Sequence, residues 1–82
     1  MQESSVIQHF LQQGIEQGIE QGARQMSIES TLTILAERFP DADITPVKPI
    51  LEAIEDLDRL KQLNLTASIA ESFLAFRDRL ET

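Results

Sequence analysis

The sequence predicts an all-α protein: one long amino-terminal helix followed by two or three short ones, in an oligomeric helical assembly. Three observations lead there. Val6, Phe10, Leu11, Ile15, Ile19, Ala23, Met26, Ile28, Leu32, Leu35, Ala36 and Phe39 keep helical spacing, with no proline before Pro40. Nothing in the chain shows the strict alternation of a half-buried strand. All three glycines fall in a four-residue repeat, Gln13-Gly14-Ile15-Glu16, Gln17-Gly18-Ile19-Glu20, Gln21-Gly22-Ala23-Arg24, closed by Gln25.

The first helix is expected from Ser5, which with Gln8 has the spacing of a capping box, to Arg38. It would be about 50 Å long at 1.5 Å per residue. Ser27 to Ser30 is the place where it is most prone to break. Four residues advance a helix by one turn and about 40°, so the repeat sorts into neighbouring stripes. Phe10, Gly14, Gly18, Gly22 and Met26 form one, and Leu11, Ile15, Ile19 and Ala23 form an apolar ridge beside it. Gln12, Glu16, Glu20 and Arg24 make a charged stripe, and four glutamines fill the last. Each helical glycine costs about 1 kcal/mol against alanine, and close approach of a second helix is the usual compensation. Glutamate and glutamine between the glycines make that second helix a protein helix and not lipid. Rows spaced by four favour a crossing near −40° to −50°, so the crossing is expected near Gly18.

Pro40-Asp41-Ala42-Asp43 is the clear loop. Thr45 followed by Pro46 reads as N-cap and first helical residue, with Pro49 still in the first turn. The second helix presents Val47, Ile50, Leu51 and Ile54. Asp56 caps a third, which carries Leu57, Leu60, Leu63 and Ala67. Its end has three readings: a restart at Ser68, whose partner is Glu71, a restart at Ser72, or continuation to Leu80. The break near Ser72 is preferred, giving a terminal helix with Phe73, Phe76 and Leu80. The organisation is thus an oligomerisation helix over 1–39, a loop over 40–45 and a helical cap over 46–82.

A chain of 82 residues is one domain or a piece of one, and too short to bury a large core alone. With no cysteine it has no disulfide or cysteine-ligated zinc, which leaves oligomerisation as the remedy for a small core. Fourteen acidic against seven basic residues give a net charge of −7, which opposes phosphate and argues against direct nucleic acid binding. No apolar run approaches the ~18 residues of a membrane span, and the start lacks a basic secretory segment. A cytoplasmic location away from membranes is the expectation.

Candidate chemistry is sparse. His9 is the single histidine and lacks the partners of a metal site or a nucleophile triad, so it reads as a surface or interface residue. Asp41 and Asp43 lack the glycine and later ligands of a calcium loop. Glu52, Glu55, Asp56 and Asp58 read as a solvated acidic face. No catalytic, metal or cofactor-binding residue is expected, and the chain is not expected to be an enzyme.

Several segments together carry a resemblance. The glycine repeats lead to Leu35-Ala36-Glu37-Arg38-Phe39-Pro40, then Ile54-Glu55-Asp56-Leu57-Asp58-Arg59-Leu60, and finally Ala70-Glu71-Ser72-Phe73-Leu74-Ala75-Phe76. This pattern resembles the C-terminal tail of the Rpn family of recombination-promoting nucleases, also grouped with transposases and frequent in cyanobacteria. The nuclease of that family is an amino-terminal domain of the PD-(D/E)XK type, with a lysine two residues after its second acidic metal ligand. Here Pro46 stands two residues before Lys48, and Arg59 two before Lys61, so the catalytic triplet is absent. The resemblance therefore implies a non-catalytic appendage, or a short regulator that pairs with a full-length nuclease. Leu11 to Gln25 alone also resembles the glycine-repeat helix of flagellar assembly protein H, a dimeric adaptor.

The functional expectation is helix-to-helix association, with the chain itself as partner in a homodimer or tetramer. The contact residues are Phe10, Leu11, Gly14, Ile15, Gly18, Ile19, Gly22, Ala23 and Met26. The C-terminal helices are expected to pack on the Leu32–Phe39 segment of the same or a neighbouring subunit.

Overall fold

One helix dominates the chain, and the rest folds back along its second half. The computed structural model describes the backbone of residues 2–81 and the side chains of residues 15–81. Helix α1 runs Gln2–Arg38, α2 Val47–Glu52, α3 Leu57–Ile69 and α4 Phe73–Glu81, and no strand occurs among the described residues. The 37 residues of α1 give a rod of about 55 Å. The molecule measures 60 × 22 × 19 Å, so α1 sets its length.

One expectation about α1 is corrected, its start, while the single long helix is found. Ser5 lies inside the helix, because Gln2, Glu3 and Ser4 are already helical, and nothing in those residue types resists the α conformation. Side chains of Ser5, Gln8 and His9 lie outside the described ones. Between Ser27 and Ser30 the helix is unbroken. There the Thr31 hydroxyl donates back to the Ser27 carbonyl at 2.7 Å and stays within the helical backbone pattern.

The core forms where α3 and α2 lie against α1. Leu35, Val47, Leu51, Leu60, Leu63, Ala67, Ala70, Phe76 and Leu80 are buried, with Ile28, Leu32, Ile34, Phe39, Ile44, Ile54 and Phe73 packed around them. Packing on α1 thus starts at Ile28, a turn earlier than the Leu32–Phe39 segment expected. Thr31 is the buried polar residue. Its oxygen accepts from Asn64 Nδ2 at 3.1 Å while its proton goes to Ser27, so both capacities are used. That pair ties α3 to α1 in one register, since sliding by one residue would take Asn64 away from the Thr31 oxygen.

The connections follow local chemistry. Pro46, and not Thr45, is the N-cap of α2. The Thr45 amide is committed to Asp43 Oδ1 at 3.1 Å, and Val47 N closes a turn onto Ile44 O at 3.0 Å. Hydrogen bonding from Thr45, first through its side chain and then its backbone, holds the Asp43 carboxyl below its ordinary value. Proline at positions 46 and 49 removes amides that a helix start leaves unpaired anyway. Asp56 caps α3 by accepting from the Asp58 amide at 3.0 Å. The α3–α4 break falls where Ala70 turns extended (ψ 139°), and Ser72 Oγ accepts from the Ala75 amide at 3.1 Å. The turn brings Phe73 against Phe39 at 6.2 Å and leaves Phe76 at 6.5 Å from Phe73. Offset and tilted ring pairs of this kind are favourable beyond their buried area.

Three arginines tie the elements together through carbonyl groups. Arg38 donates to Ala67 O at 2.6 Å and Arg59 to Arg79 O at 2.7 Å, both in the last turns of α3 and α4, where carbonyls lack helical partners. Arg24 reaches Glu55 O at 3.3 Å, where the chain passes from α2 to α3. Arg38 also lies 4.9 Å from the centre of the Phe39 ring.

The buried and exposed leucines of α3 separate core from surface. Leu63 is 1% exposed and Leu65 61%. Leu63→Ala should cost about 2–5 kcal/mol, and Leu65→Ala should stay within about 0.5 kcal/mol of the parent. Urea melts followed by circular dichroism measure both, and equal losses would contradict the placement of α3.

Candidate functional site

One exposed apolar surface lies on the outer side of α1. At about 100° per residue, the direction of Leu35 into the core sets a reference around the helix axis. Ile28 and Thr31 point within about 40° of it, and both are packed in the core. Ile15, Ile19, Gly22 and Met26 point about 140–200° away, on the opposite side. Their exposure agrees: Ile15 is 62% accessible, Ile19 67% and Met26 72%. The spacing of these four residues, in steps of four, three and four, keeps them on one side of the helix.

The cap does not reach this part of the rod. The first cap contact along α1 is Arg24 with Glu55, and residues 15–20 are exposed without exception. A Cβ built at Gly18 or Gly22 would meet nothing within 4 Å. Within the chain, then, these glycines serve no packing need, and the space above each is open. Of the nine contact residues expected, Ile15, Gly18, Ile19, Gly22 and Met26 are exposed and Ala23 is half-buried. The side chains of Phe10, Leu11 and Gly14 lie outside the described ones. Sorting by fours had placed Gly22 and Met26 in one stripe and Ile15 and Ile19 in another. Once the core direction is known, all four share one face.

Other surface features are less concentrated. A groove of about 420 Å³ runs between α1 and α2, lined by Arg24, Gln25, Ile28, Glu29, Lys48 and Glu52 among others. Its charges alternate in sign and it opens widely to solvent, so it presents no concerted set of donors or acceptors. A shallower hollow of about 280 Å³ lies beside Met26, Ser30 and Lys61. Leu65 and Ile69, one turn apart on α3, and Leu74 on α4 are also exposed. Among the described residues no three His, Cys, Asp or Glu side chains gather as a metal site would require. No helix among them is long and apolar enough to cross a membrane. Arg24, Arg38 and Arg59 spend hydrogen bonds on backbone carbonyls, which scatters the positive charge.

The site is thus an exposed apolar helix face. No protein-family model matches the chain, and no curated protein or solved structure shows significant similarity to it.

Because nothing stands near them, alanine at Gly18 or Gly22 should help the free helix. At a dilution where chains are separate, each change should stabilise the arm of α1 by about 1 kcal/mol, read as a higher helical signal at 222 nm. A lower signal would show that the positions are crowded within the chain.

Proposed function

We propose that this chain is a non-catalytic helical association module whose act is to dock the outer face of α1 on the same face of a second copy. The observation that carries the reading is the run Ile15, Ile19 and Met26, more than 60% exposed and interleaved with glycines that have open space above them. Large apolar residues left in water along one line of a helix mark a contact surface. The resemblance to the C-terminal region of Rpn-type nucleases supports a setting in which such a module holds larger subunits together.

The energetics favour a reversible assembly. Burying an isoleucine is worth about 1.5–3 kcal/mol, so the four of a symmetric pair supply roughly 6–12 kcal/mol. Association itself costs roughly 4–15 kcal/mol in lost motion. The two terms are of similar size, so the extent of pairing is set by protein concentration.

Light scattering on the purified chain should give the mass of a dimer or tetramer that falls on dilution. Ile15→Glu combined with Ile19→Glu should give a monomer whose cap melts like that of the parent, since neither residue touches the core. A parent that is monomeric at high concentration, or a double variant that assembles like the parent, would overturn the reading.

A further inference from the structure

We draw no further inference here: the strongest candidate, the open groove between α1 and α2 where Ile28, Leu32 and Ile54 lie among the charges of Arg24, Lys48 and Glu52, carries both signs of charge, and nothing in the structure shows what covers it.

Discussion

The structure depends on a mismatch of lengths. A helix of 37 residues, about 55 Å long, is served by α2, α3 and α4, which hold 6, 13 and 9 residues. Folded against the rod, those elements cover it from about Arg24 onward and no further. Every other feature follows from that limit. The covered half supplies the core, and in the uncovered half the described Ile15 and Ile19 are exposed and Gly18 and Gly22 have open space above them. A solitary helix is marginal in water even when composed of good helix formers. Three interior glycines weaken it further, and the contact proposed with a second copy would restore what they remove.

The covered half is held with little redundancy. Leu35, Leu60, Leu63 and Phe76 fill the centre, and Thr31 with Asn64 sets the register between α1 and α3. Around this, Arg24, Arg38 and Arg59 each attach to a carbonyl on another element. Arg77 pairs with Glu81 at 3.7 Å on the exposed surface, and such pairs contribute little to stability. The cap is therefore a packing device whose polar contacts serve orientation. Among the described residues no buried polar side-chain atom lacks a partner, which agrees with a small core that tolerates no internal strain.

Much of the fold was legible in the sequence, and for identifiable reasons. The all-α class followed from helical spacing over a proline-free stretch. Asp56 and Ser72 announced helix starts, because their short oxygen-bearing side chains satisfy first-turn amides. Thr45 misled because its amide was taken by Asp43, a contact two residues away that shifts the cap to Pro46. Ser5 misled because a capping pattern has meaning only where the backbone leaves the helix. The expected contact residues could be named from the sequence as a list but not as a face. Periodicity shows which positions align along a helix, and only the site of the core shows which direction is outward. Leu35 supplies that direction, and with it Ile15, Ile19, Gly22 and Met26 become one surface. Thr31 as a buried hydroxyl had no sequence signal apart from its place one turn after Ser27.

The central claim is that the uncovered half of α1 is completed by another chain. Backbone amide hydrogen exchange across a wide range of protein concentration tests it most directly, because the arm and the cap report separately in one experiment. Protection at residues 15–22 should rise steeply with concentration while protection at Leu60, Leu63 and Ala67 stays constant. Arm exchange that is fast and independent of concentration would contradict the account, for it would show that the rod stands in water by itself.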